Sequence, residues 1–165
     1  IYPIPGPSAP LAALIASGLP TDRFLFLGFA PPKSGARREL FSAHKHLPAT
    51  LLLFDSPNRL CDTLEDAAAT FGEERQASIA RELTKLHEEH IRGTLADCLA
   101  HIRAHPPRGE IVLTIAPGTA EPASAETIDA LLREALTTHS VKDAAALVAA
   151  ATATPKRDIY QRALE

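Results

Sequence analysis

Residues Ala49–Leu60 read ATLLLFDSPNRL, and the order of properties in this stretch decides the fold. Thr50 to Phe54 is an unbroken apolar run, which predicts a buried strand with cover on both faces. Ser56 then offers a helix cap, and Pro57 a first-turn residue whose missing N–H is not needed there. Leu60, Leu64, Ala67 and Phe71 follow at helical spacing, and Gly72 ends the run. The unit is therefore strand, turn, helix.

The same cycle recurs in both directions. Upstream, RFLFLGFA (Arg23–Ala30) is apolar on both faces like a covered strand, PPKSG is a loop, and Ala36, Leu40, Ala43 and Leu47 give the buried stripe of a helix. Earlier still, IYPIPGPSAP (Ile1–Pro10) reads as a strand passing through a Pro-Gly-Pro turn into a helix capped by Ser8. Leu11, Leu14 and Ile15 supply its apolar side; Gly18 and Pro20 stop it. Downstream, QASIARELT (Gln76–Thr84) is a strand. Thr94 and Asp97 form a capping box for a helix carrying Leu95, Leu99 and Ile102, and GEIVLTIA (Gly109–Ala116) is a last strand. Such alternation predicts an α/β fold, a mixed sheet flanked by helices, over residues 1–118. APGTAEPASAE then breaks the pattern as a linker. Helical segments at 124–138, 140–151 and 154–165 make residues 119–165 a linker plus a small helical unit, with Ser140–Asp143 as a capping box and Thr154-Pro155 as a helix start.

Bulk properties narrow the classes. An apolar content of 45% with 22% charged residues suits a globular domain, and the net charge of −3 argues against a surface that binds nucleic acid everywhere. Any RNA contact must come from a local patch. No apolar run approaches the roughly 20 residues of a membrane helix, and no basic secretion leader is visible, so a cytoplasmic location is expected. Cys61 and Cys98 fall in helical patterns and read as reduced core thiols.

Three constellations could carry chemistry. ARELTKLHEE sets Arg81, Glu82, Lys85, His87, Glu88 and Glu89 after a buried strand, and strand ends are where α/β sheets bind ligands. Read plainly, it is a solvated loop with weak internal ion pairs. As a site, Arg81 and Lys85 could hold phosphate, with Glu82 orienting them or serving as base. His87-Glu88-Glu89-His90 spaces its histidines three apart with no third ligand evident, so no metal is expected. His44, His46, His101, His105 and His139 read as surface residues. Lys33, Arg37, Arg38 and Lys45, with Arg59 and Arg81 at the same sheet edge, are either an ordinary solvated helix face or a phosphate footprint. In the opening turn, Gly6 would let backbone approach a ligand closely, and the helix start exposes free N–H groups.

Taken together, PGPSA, DRFLFLGFAPPKSGARR, LLLFDSPNRL and IARELTKLHEE resemble, in order and spacing, the ribosomal RNA small subunit methyltransferase I family. That family is similar to the tetrapyrrole (corrin/porphyrin) methylases, a class III fold of S-adenosylmethionine-dependent methyltransferases. The resemblance extends through VKDAAALVAAATATPKRDIYQRAL. It implies S-adenosyl-L-methionine as cofactor, 2′-O-methylation of a cytidine ribose in small-subunit ribosomal RNA, a homodimer, and an amino-terminal domain ahead of this region without which the chain is inert. The implied cofactor contacts are Gly6, Ser8, Ala9, Phe54, Ala80 and Arg81; the implied catalytic pair is Glu82 and Lys85; the implied RNA contacts are Lys33, Arg37, Arg38 and Arg59. Where the family reads Tyr-Glu-Ser-Pro-His-Arg, this chain has Phe54-Asp55-Ser56-Pro57-Asn58-Arg59, so no histidine role carries over to Asn58. Two other readings stand beside it: a corrin or porphyrin-precursor methyltransferase, and a noncatalytic nucleic-acid-binding module on the last helices.

Overall fold

A computed structural model describes residues 1–118, 125–152 and 154–164. The chain divides into two compact units, Ile1–Gly118 and Thr119–Glu165.

The first unit begins with α1 (Ala9–Ser17), β1 (Phe24–Phe29), α2 (Ser34–Ala43), β2 (Thr50–Asp55) and α3 (Leu60–Phe71). It continues with β3 (Gln76–Arg81), β4 (Glu89–Thr94), α4 (Leu95–Ala104) and β5 (Ile111–Ile115). The strands form one sheet in the order β1-β2-β5-β3-β4. β1 and β2 are parallel; β5 enters between β2 and β3 antiparallel to both, and β4 pairs antiparallel with β3. The sheet is mixed and flanked by helices.

Strand alternation sorts the two faces. Leu51, Leu53, Ile79, Ile111, Leu113 and Ile115 face a core built with Phe41, Leu60, Leu64, Leu95 and Cys98 from α2, α3 and α4. Each large side chain buried there contributes about 1.5–3 kcal/mol relative to exposure. On the opposite face Ala80 and Val112 pack against Ala13 of α1. That single helix leaves β1 uncovered: Phe24, Phe26 and Phe29 are 45%, 41% and 66% exposed. The expectation that β1 is covered on both sides is therefore corrected on this face, because α1 packs over β2, β3, β4 and β5; on the other face Leu25 and Leu27 do pack against the core.

Several local expectations also change. Ile1–Ser8 holds no strand, and Ile1, Tyr2 and Ile4 are exposed. Leu14 of α1 is buried, whereas Leu11 and Ile15 are exposed. Glu89–Thr94, absent from the sequence reading, is a strand. α3 starts at Leu60, after a turn in which Ser56 O accepts from Arg59 N and Leu60 N. In α2 the fully buried residues are Arg37 and Phe41; Leu40, and Leu47 beyond the helix, are half-buried against the core as expected, while Ala36 and Ala43 are exposed. Arg37 can face inward because Asp66 of α3 meets it: Arg37 Nε donates to Asp66 Oδ2 at 2.9 Å, and its Nη1 donates to the Pro31 and Pro32 carbonyls. Elsewhere the pattern holds. Leu60, Leu64, Ala67 and Phe71 are buried, and the Thr94–Asp97 capping box is complete.

The second unit contains α5 (Ala125–Ala135), α6 (Val141–Thr152) and α7 (Lys156–Arg162) around Ile128, Leu132, Ala145, Val148 and Ile159. Ser140 Oγ accepts from Asp143 N at the start of α6, and Arg162 Nη2 donates to Asp129 Oδ2 at 3.0 Å, tying α7 to α5. The residue at the start of α7 is Pro155, one position later than the expected Thr154 cap.

Candidate active site

Because β5 runs antiparallel, its first residue lies beside the last residues of its neighbours: Ile111 is in register with both Asp55 and Arg81. A cavity of about 420 Å³ opens at this edge, a size suited to a small-molecule ligand. Phe54, Ala80 and Val112 form its floor, adjacent across three strands on the face that α1 covers. Ala9, in the first turn of α1, adds a wall small enough to leave room. Phe29 extends the apolar side, its ring 5.3 Å from that of Phe54.

Polar groups gather at the rim. Asp55, also lining the cavity, is 4% exposed; its Oδ1 accepts from Ser56 N at 2.8 Å and from Arg59 Nη2 at 3.4 Å. Its Oδ2 is buried without a hydrogen-bond partner, as is Arg59 Nε. Buried polar atoms are seldom left so, since an unmet acceptor costs about 1–3 kcal/mol. Glu110, also a lining residue, is tied to a pair outside the cavity: Glu82 Oε1 accepts from Lys85 Nζ and from Glu110 N, each at 2.9 Å. Lys85 first, then the Glu110 backbone, holds the Glu82 carboxyl below its ordinary range. Reciprocally, Glu82 and then Glu110 raise the Lys85 ammonium.

Of the residues expected at the cofactor, Ala9, Phe54 and Ala80 meet at the cavity. Gly6, Ser8 and Arg81 do not line it. Ser8 accepts from Ala12 N through its backbone carbonyl, with no side-chain cap, and Arg81 is turned to Glu89 Oε2 and the Arg108 carbonyl. Glu82 and Lys85 flank the lining residue Leu83 without lining the cavity themselves. Among the expected RNA contacts, Lys33 is exposed, and the side chains of Arg38 and Arg59 are 59% and 34% exposed. Arg37, at 3%, is removed from the basic face by its buried pair with Asp66. Beside Ala9, Phe54 and Ala80, the cavity is lined by residues not expected at the cofactor: Phe29, Asp55 and Ser56 from the first half of the unit, and Leu83, Gly109, Glu110, Ile111 and Val112 from the second. Among the described residues no cluster of His, Cys, Asp and Glu is arranged to hold a metal.

Residues 1–99 match the model of the tetrapyrrole (corrin/porphyrin) methylases. The chain belongs to that family. Residues 121–165 match a second model, the RsmI C-terminal HTH domain. Relatives bearing the name ribosomal RNA small subunit methyltransferase I include those of Mesorhizobium japonicum, 46% identical over 100% of this chain and 56% of the relative, and Escherichia coli O157:H7, 40% identical over 100% and 59%. The chain therefore spans little more than half the length of these relatives. The resemblance to the methyltransferase I family thus extends along the whole of the chain. Two solved methyltransferases share the fold. Cobalt precorrin-4 methyltransferase CbiF gives a TM-score of 0.53 at 17% identity over 68% of this chain and 50% of its own. CobJ gives 0.54 at 16% over 73% and 52%.

Proposed function

We propose that this chain forms one wall of an S-adenosyl-L-methionine site in an enzyme that methylates the 2′-oxygen of a cytidine ribose in small-subunit ribosomal RNA. The observation carrying this reading is the cavity at the shared edge of β2, β3 and β5, apolar on its floor and acidic at its rim. Phe54, Ala80, Val112 and Ala9 suit the flat adenine, while Asp55 and Glu110 offer acceptors to ribose hydroxyls and a counter-charge to a sulfonium. When bound, the methyl donor supplies a methyl group already activated by its positive sulfur. What remains for the residues is alignment of oxygen, carbon and sulfur and exclusion of water. Glu82 and Lys85, expected from the resemblance as catalytic, act here as rim-positioning groups, because each is engaged by the other and by Glu110. Lys33, Arg38 and Arg59 provide the phosphate contacts that position RNA; Arg37 does not. We assign the complete reaction, and the homodimer, to a cytoplasmic polypeptide of the relatives' full length.

The full-length protein, given labelled methyl donor, will incorporate methyl into small ribosomal subunits. Incorporation into a tetrapyrrole precursor instead, or RNA binding without any transfer, refutes the assignment. Ala9→Trp, which fills the cavity, will abolish S-adenosylhomocysteine binding in calorimetry; undiminished binding shows that the nucleoside lies elsewhere.

A further inference from the structure

The turn between β3 and β4 is held in an unusual way. Glu82 (φ 51°) and Thr84 (φ 64°) both adopt left-handed backbone, which non-glycine residues keep only where the surroundings enforce it. Two carboxylates do the enforcing. Glu82 N donates to Glu110 O at 2.9 Å while Glu82 Oε1 receives Glu110 N, and Lys85 Nζ bridges Glu82 Oε1 and Glu110 Oε2 at 2.9 and 3.1 Å. On the other flank Glu88 Oε2 accepts from Thr84 N at 2.6 Å, and Glu88 Oε1 meets His90 Nε2 at 2.9 Å. Between the two pinned residues sits Leu83, which lines the cavity and packs against the cluster of Ala13, Ala80 and Val112.

Gly109 makes the first clasp feasible. Its φ is +87°, and a Cβ placed there would run into the Glu82 carboxylate. The carboxylate occupies the space that any side chain would need.

We propose that the Glu82–Gly109 clasp, backed by the Glu88 pin, is a positioning device that holds Leu83 as a preformed wall against the nucleoside of the bound methyl donor. This rests on the cofactor reading of the cavity. A wall fixed before binding spares the ligand the ordering of a loop, so loss of the clasp shows in affinity rather than in the chemical step. Glu82 is then a positioning residue that acts through Leu83, and Gly109 a residue required for lack of a side chain.

The test uses the full-length protein with S-adenosylhomocysteine as probe, and the variants Glu82→Ala, Glu82→Gln, Gly109→Ala and Glu88→Ala. Glu82→Ala removes the acceptor that Glu110 N meets and gives a comparison should Gly109→Ala fail to fold; Glu82→Gln keeps an acceptor oxygen there and is the conservative rescue. Calorimetric affinity for the probe will fall about tenfold or more in Glu82→Ala and Gly109→Ala, by less in Glu88→Ala, and Glu82→Gln will restore most of it. KM for the methyl donor will rise by more than kcat falls, and amide exchange across residues 82–88 will speed up in Glu82→Ala. Wild-type exchange in Glu82→Ala overturns the clasp. A collapse of turnover with affinity and exchange unaltered overturns the positioning role, because Glu82 would then touch the reacting groups. A wild-type protein that ignores the probe, while its loop is still loosened by the variants, overturns the cofactor reading on which the proposal rests.

Discussion

Asp66 offers the sharpest test of how the first unit is built and of which arginines are free to meet RNA. Its carboxylate, 5% exposed, takes Ser34 Oγ at 2.9 Å, Arg37 Nη2 at 2.6 Å and Arg38 Nε at 2.7 Å. Asp66→Ala leaves the Arg37 guanidinium, 3% exposed, with the Pro31 and Pro32 carbonyls but without its counter-charge. Breaking a buried pair from one side costs about 3–5 kcal/mol, against a total of about 5–15 kcal/mol for a typical domain. For a unit of this size the melting temperature will drop by roughly 10–25 °C. Replacing both partners, Arg37→Met with Asp66→Leu, removes the charge along with its partner and will recover most of that loss. Urea and thermal unfolding followed by circular dichroism read all three proteins. The reasoning is refuted if the single variant loses under about 1 kcal/mol, or if the double variant is no better than the single one. The pH profile supplies a second check. Burial pushes the Asp66 carboxyl up, but hydrogen bonds from Arg38, Ser34 and Arg37 and the Arg37 charge hold it below its ordinary value. A folded pKa lower than the unfolded one stabilises above the unfolded value and is lost as pH falls through the folded one. The wild type therefore owes part of its stability to Asp66 above about pH 4 and loses it on further acidification, a loss that Asp66→Ala will not show.

Other expectations follow from single contacts. Burial, with Asp97 adding to it, pushes the Cys98 thiol up to about 11, so native protein at pH 8 will leave it unlabelled by a thiol reagent while half-buried Cys61 reacts; denaturant will expose both. Thr94→Ala removes the side-chain oxygen that receives Asp97 N at 3.0 Å and will destabilise the first unit by about 1 kcal/mol in urea titration. If Arg38 touches phosphate, Arg38→Glu will lower the slope of log binding constant against log salt by about 0.7 or more on single-stranded RNA. A slope equal to wild type removes it from the interface.

Legibility of the sequence depended on how local the cause was. The apolar period from Leu60 to Phe71 belongs to α3 alone and the Thr94–Asp97 box to α4 alone, and both were readable. The inward face of α2 was legible only in part: Leu40 packs on the core as its spacing says, but Arg37 is buried by a carboxylate 29 residues away that no periodicity announces. β4 escaped because EHIRGT is polar and half-buried, and its pairing is supplied by β3. Phe24, Phe26 and Phe29 looked like core because apolar character does not say whether a helix will cover it. At the cavity, Ala9, Phe54 and Ala80 came from the resemblance. Gly109, Glu110 and Val112 could not come from chain order, since only the antiparallel insertion of β5 brings them beside Phe54 and Ala80.

The lopsided sheet has a practical side. Three phenylalanine rings open to water on a folded strand will take up a dye that fluoresces in apolar surroundings. This chain will therefore glow while native, and brightness that usually signals a loosened, half-melted protein will here report an intact one. Backbone ellipticity, which does not sense those rings' wetness, is the signal to follow when its folding is assayed.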